Sequence, residues 1–234
     1  MWRALYDKEY DALGSGSVAG AHVRLIYYLK TTLPSHPRWS EIEPLLEKWE
    51  WLACRSVANT EHENVRFAVR NIVGDAIMDG DPWSAQPSPT FDSMQLVLPQ
   101  GLYISSDFPA CDSAVLRQAG ITHIVQALPQ PPRFPHVAKY HVIPILDTDS
   151  QRIDFDAAVA FIADALQVPG NKVLVHCKAG ISRSASVVLA YMMWSTRMPL
   201  NAAFGFLVAC RPYVFPNAGF RQQLRAYEKR VLKR

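Results

Sequence analysis

At 234 residues the chain can hold one large domain, or one domain with a substantial extension. Hydrophobic residues make up 49% and charged residues 19%, a balance that excludes an intrinsically disordered chain. The formal net charge of +3 makes no case for a nucleic-acid partner, and no apolar run is long enough for a membrane span.

In chain order, "MWRALYDKEYDALGSG" lacks the basic start and apolar core of a signal peptide, and Trp2 stands where myristoylation needs glycine. The pattern in "AHVRLIYYLKTTL" predicts a helix ending before Pro34. "WSEIEPLLEKWEWLACRSV" predicts another, with Ser40 and Glu43 as a capping box and Pro44 in the first turn. Ile42, Leu45, Leu46, Trp49 and Leu52 form its apolar stripe, so Trp49 and Trp51 read as helical core rather than a ligand surface. A third helix is predicted from the Thr60 and Glu63 box through Val65, Ala68, Val69, Ile72 and Ala76, with Gly80 as its stop. Residues 81–93 cluster Pro, Ser and Asp, which marks a linker between a helical extension, 1–80, and a second region, 94–234.

Beyond the linker the rhythm changes. "MQLVLPQGLYISS" predicts a strand, a turn and a second strand; "DSAVLRQAG" predicts a short helix closed by Gly120. "ITHIVQAL" and "KYHVIPIL" predict strands, "FDAAVAFIADAL" an amphipathic helix, and "NKVLVHC" a strand buried on both faces. The rest is helical, with Phe220, Leu224, Tyr227 and Val231 as the buried stripe of the last helix and "EKRVLKR" as a solvated face. Strands alternating with helices predict an α/β domain with a mostly parallel central sheet flanked by helices.

The chemistry concentrates in "KVLVHCKAGISRSASVVLAYMMW", residues 172–194. A buried strand, a seven-residue loop and a helix bring the loop amides and a helix N-terminus around one point at the carboxyl edge of the sheet. Such a concavity binds an anion, and its field makes Cys177 nucleophilic. Arg183 offers a planar fork for two phosphate oxygens, and Gly180 permits backbone that a side chain forbids. Lys178, Ala179, Gly180, Ile181, Ser182 and Arg183 are therefore the predicted cradle for a tetrahedral dianion. A lone cysteine in an apolar run is more often core; the accompanying His176, Gly180, Arg183 and Ser184 turn the balance here. Cys54, Cys111 and Cys210 show no paired spacing and read as free structural thiols, with a resolving role for Cys111 left open. Free thiols suit a reducing compartment, so a cytoplasmic or nuclear location is expected.

These residues resemble the signature of the Cys-based protein phosphatases, and among them the dual-specificity group: His-Cys-x-x-Gly-x-x-Arg followed by Ser or Thr. "LPQGLYISS", "GITHIVQA", "IPILD", "AYMM" and "RPYVFPNAGFRQQLRAYE" extend the likeness across about residues 94–232. A rhodanese-like domain would lack the "AYMM" and "PNAGF" elements. The resemblance implies hydrolysis of phosphotyrosine, phosphoserine and phosphothreonine in protein substrates, without metal or other cofactor. Cys177 would form a cysteinyl-phosphate and Arg183 would hold the equatorial oxygens. Ser184 would assist the sulfur as leaving group, and a buried His176 would orient the cysteine. Asp147, straight after "IPIL", is the implied general acid, with Asp149 in reserve; Asp154 and Asp156 read as helix-start residues. A phosphoinositide substrate, kept open by Lys178, and a phosphopeptide-binding module with little turnover are the competing readings. Finally, "NAAFGFLVAC", residues 201–210, carries no charge and is apolar all round, which predicts burial on every side. The expectation is that residues 1–80 pack on the catalytic domain and cover part of this helix, a homodimer interface being the competitor.

Overall fold

Four consecutive residues, Val173–His176, are buried on both faces of a sheet, and this strand organises the second half of the chain. A computed structural model describes residues 17–53, 60–78 and 93–233. The chain divides into two compact units: Met1–Gln86 with Asn201–Ala209, and Pro87–Leu200 with Cys210–Arg234.

In the first unit, helix α1 spans Ser17–Thr32, α2 Trp39–Ala53, α3 Thr60–Val73 and α4 Asp75–Met78. Ile26, Leu29, Ile42, Leu46, Trp49, Val65 and Val69 are among its buried side chains. The helix from Leu200 to Cys210 contributes Asn201–Ala209 to this unit, where the Phe206 ring meets Tyr27 edge-on at 5.7 Å. Two boundaries differ from expectation. Helix α2 starts at Trp39, with the Arg38 carbonyl accepting from the Glu41 and Ile42 amides, so Ser40 lies inside the first turn instead of capping it. The Arg38 guanidinium, bound at 2.8 and 2.7 Å to Glu41, holds that end. The third helix stops at Val73 because Gly74 takes a φ of +84°, a left-handed residue that ends a helix, and its amide bonds back to Arg70 at 2.8 Å. Gly80 and the linker residues 81–92 lie outside the described residues.

The second unit is a five-stranded sheet: β1 Gln95–Leu98, β2 Leu102–Ser105, β3 His123–Gln126, β4 Lys139–Val142 and β5 Val173–His176, in the order β1-β2-β5-β3-β4. Only β1 and β2 pair antiparallel, across a Gly101 turn with φ +111°. The pairs β2–β5, β5–β3 and β3–β4 are parallel, which is the mostly parallel α/β architecture expected. Alternation sends Leu174 to one face, against Leu116, Ile124 and Ile121. Helices α5 Asp107–Ala110, capped by Ser106, and α6 Ser113–Ala119, capped by Asp112 and closed by Gly120 at φ +71°, follow β2. Helix α7 spans Phe155–Leu166, α8 Arg183–Thr196, α9 Leu200–Cys210 and α10 Ala218–Val231. Both α7 and α10 pack on α8, and Phe220, Leu224 and Tyr227 are buried as their spacing implied, whereas Val231, at the end of the helix, is only half-buried. The four-residue helix α5 was not foreseen, and "KYHVIPIL" is strand only through Val142, since Pro144 lacks the N–H a ladder requires. Because four strands run parallel, the loops after β2, β3, β4 and β5 emerge at one edge. No helix among the described residues is long and apolar enough to cross a membrane.

Candidate active site

The chain leaves β5 at His176, turns through residues 177–182 and enters α8 at Arg183. Cys177 is 1% exposed and Arg183 8%. Gly180 has φ +69°, and a Cβ there would stand 2.6 Å from the Ser105 carbonyl oxygen and 2.7 Å from the Arg211 guanidinium. Glycine is therefore required on both conformational and steric grounds.

Every carbonyl from 178 to 182 is tied from outside the loop. Lys178 O accepts from the Asp107 amide at 3.1 Å, Ile181 O from the Phe215 amide at 2.8 Å and Ser182 O from the Ser186 amide at 2.9 Å. The Arg211 guanidinium donates to Ala179 O at 3.2 Å and to Gly180 O at 2.9 Å. Among the described residues, the amides of 178–182 donate to nothing. A loop whose carbonyls are all engaged and whose amides are all available, at a helix N-terminus, is an anion cradle.

The side chains complete it. Cys177 Sγ lies 3.2 Å from Ser184 Oγ. Arg183 donates through Nη1 to the Ile145 carbonyl at 3.2 Å, and its Nε is 3.6 Å from the Asp147 carboxylate. Asp147 also accepts from Ser182 Oγ at 2.7 Å and from Asn217 Nδ2 at 2.9 Å. Of the four candidate acids, Asp147 is the one bonded to the loop. Asp149 accepts from the Gly219 amide at 3.2 Å, Asp154 caps α7 through the Ala157 amide at 3.1 Å, and Asp156 pairs with Arg230 at 2.8 Å. Burial pulls the His176 imidazole from 6.5 down to about 4, against the opposing pull of Asp107, so it is neutral at physiological pH. A neutral, 3% exposed ring is suited to supporting Cys177.

Three residues here, Arg211, Asn217 and Asp107, carried no functional reading in the sequence. Arg211, fully buried, spans the loop carbonyls and the Gln95 side chain, to which its Nη1 donates. Burial lowers its pKa while the neighbouring Cys177 charge raises it. Its one sequence signal is a charge set directly after the uncharged run 201–210. Asn217 holds Asp147 while also capping α10 through the Phe220 amide at 2.9 Å. Asp107 pairs with Lys178 at 3.3 Å and accepts from the Cys111 thiol at 3.3 Å. Burial and that hydrogen bond raise the Cys111 pKa, which keeps it a thiol and a poor resolving nucleophile at neutral pH.

Comparison with known proteins agrees with this geometry. The family model for the dual specificity phosphatase catalytic domain matches residues 102–230. Dual specificity protein phosphatase 1 of Arabidopsis thaliana is 37% identical over 141 residues, covering 59% of this chain and 71% of the relative. Human dual specificity protein phosphatase 2 is 38% identical over 134 residues, covering 56% and 42%. The chain spans 19% of MAP kinase phosphatase with leucine-rich repeats protein 2 of Dictyostelium discoideum and 36% of dual specificity protein phosphatase 1-B of Xenopus laevis. Among solved structures, human tyrosine phosphatase-like serine/threonine/tyrosine-interacting protein is similar at 39% identity and a TM-score of 0.55, covering 59% of this chain and 97% of that one. Human DUSP28 is similar at 32% identity and a TM-score of 0.56, covering 63% and 99%. With the family model matched over more than half its length and the sheet, loop and helix order in agreement, the chain belongs to the dual-specificity phosphatase catalytic-domain family.

Proposed function

We propose that the chain is a Cys-dependent phosphatase that hydrolyses phosphotyrosine, phosphoserine and phosphothreonine in protein substrates. The observation that carries this is the loop: five carbonyls tied outward, free amides inward, and a cysteine beneath them. Cys177 attacks phosphorus in line while the amides of 178–182 and Arg183 hold the equatorial oxygens. The P–O bond to the leaving group breaks, its electron pair stays with that oxygen, and Asp147 delivers the proton. Asp147 is held at the loop by Ser182, Asn217 and Arg183, which supports it over Asp149. The carboxylate then takes a proton from water as that water attacks the cysteinyl-phosphate. Ser184, 3.2 Å from the sulfur, donates to the departing thiolate. His176 remains neutral and supports the cysteine from behind. The reducing environment that keeps the free thiols reduced suits a cytoplasmic location. We further propose that residues 1–80 serve the catalytic domain, 94–234, by holding the helix at 201–209, a reading supported by the membership of Asn201–Ala209 in the first unit.

One experiment tests the chemistry: rates on aryl phosphates of graded leaving-group acidity for wild type, Cys177→Ser, Asp147→Asn and Asp149→Asn. Wild type is expected to turn over and Cys177→Ser to be inactive. Asp147→Asn loses roughly 10²-fold on poor leaving groups and less on acidic ones. Full activity in Cys177→Ser overturns the mechanism; leaving-group dependence that follows Asp149 reassigns the acid.

A further inference from the structure

The loop from β3 to β4 contains "LPQPPRFP", residues 128–135, with prolines at 129, 131, 132 and 135. Proline fixes φ, and each also restrains the residue before it, so this segment has little freedom to lose on binding. Two anchors hold it. Buried Gln126 donates through Nε2 to the Gln130 carbonyl at 2.5 Å, and Phe134 packs on the core around Leu116 and Leu174. Arg133 stands between Pro132 and Phe134. It is exposed, and among the described residues it makes no hydrogen bond or ion pair.

The loop forms one wall of a cleft of about 410 Å³ that contains Arg133, Lys178, His176 and Arg183, with Leu146, 57% exposed, also on its lining. A neighbouring cleft shares Arg133, Asp107 and Lys178, with Phe108, 69% exposed, on its lining. The Arg133 charge is close enough to be felt electrostatically at Cys111, Tyr140 and His176, where burial is the dominant influence. It opposes the upward shift of Cys111 and Tyr140 and adds to the downward shift of His176. Lys178 is matched by Asp107, and Arg183 by Asp147; among the described residues, Arg133 is the cation of the cleft that has no such match. A space of this size takes more than one phosphoryl group. Restraining a charged group beforehand raises the fraction of its pairing energy that appears as affinity.

We infer that Arg133 is a specificity determinant that reads a second negative charge, a carboxylate or a second phosphate, on a phosphopeptide whose phosphorylated residue enters the Cys177 loop. This rests on the phosphatase reading above and deepens it.

The test compares kcat/KM for matched phosphopeptides carrying Asp, a second phosphorylated residue, Ala or Lys within three positions of the phosphorylated residue. Wild type is expected to favour the doubly charged peptides over the Ala peptide by about fivefold, the factor that corresponds to one exposed ion pair of about 1 kcal/mol. Arg133→Ala abolishes that ratio, Arg133→Lys restores part of it, and Arg133→Glu reverses it in favour of the Lys peptide. The Asp and second-phosphate arms distinguish the two sources of charge. A ratio unchanged in Arg133→Glu overturns the inference, as does a wild type that turns over all the peptides with no preference for the doubly charged ones. Absence of wild-type turnover on every peptide and on aryl phosphate would instead strike the phosphatase reading, so the two failures are separable.

Discussion

Each residue around Cys177 is specified by what it excludes as much as by what it supplies. His176 is held in its uncharged form, since burial disfavours the imidazolium. This has a measurable consequence. An unfolded chain takes up a proton on this histidine below pH 6.5, whereas the folded chain resists until about pH 4. The folded state is therefore penalised progressively as pH falls between those values, by about 3 kcal/mol when complete, and not at all above them. Denaturant titrations of wild type and His176→Gln at pH 7 and pH 4.5 should show the wild type losing more stability on acidification than the variant. Equal losses would mean that the imidazole protonates freely in the fold.

At the scale of elements, the site is a meeting of loops at one sheet edge, and it is Arg211 that ties the helical tail to the cradle. Its guanidinium, just past the end of α9, reaches Ala179 and Gly180 carbonyls that would otherwise have no partner. Replacement by Met keeps the volume of the stem but leaves buried acceptors unsatisfied, at about 1–3 kcal/mol each. Arg211→Met should lower the midpoint of thermal unfolding and raise KM for aryl phosphate, because carbonyls freed from the guanidinium can rotate toward the anion site. Unchanged KM with lowered stability would make Arg211 a structural residue alone. Asn217 works on the same principle from α10, where one side chain caps the helix and fixes Asp147.

At the scale of the whole molecule, the proposed role of the N-terminal region rests on the helix at 201–209, which belongs to the first compact unit. Phe204, Phe206 and Leu207 are buried, each worth about 1.5–3 kcal/mol in apolar surface removed from water. Tyr27 against Phe206 is one of the contacts that cover them. Deleting residues 1–90 should yield a catalytic domain that aggregates in light scattering while its soluble fraction still hydrolyses aryl phosphate. A truncated protein that is monomeric and as stable as the full chain would make residues 1–80 an independent module.

The sequence alone determined the strand, loop and helix that carry Cys177, Gly180, Arg183 and Ser184, because these residues are close together in the chain and their placement follows from local backbone geometry. Periodicity and caps likewise made most elements of the sheet domain legible, with Asp112, Gly120 and Asp154 standing where the helix ends are. The third helix ends earlier than expected, at Gly74, because composition cannot say where along a periodic run a glycine adopts positive φ. What tertiary structure decided were the long-range partners. Arg211 lies over thirty residues along the chain from the carbonyls it holds, Asn217 seventy from Asp147, and Lys178 seventy-one from Asp107. No local pattern encodes such pairs. Asp107 and Lys178 meet because the parallel strands β2 and β5 end at one edge in matched register. Arg211 and Asn217 reach the same edge from the connection between α9 and α10, which is placed by the packing of α10 on α8.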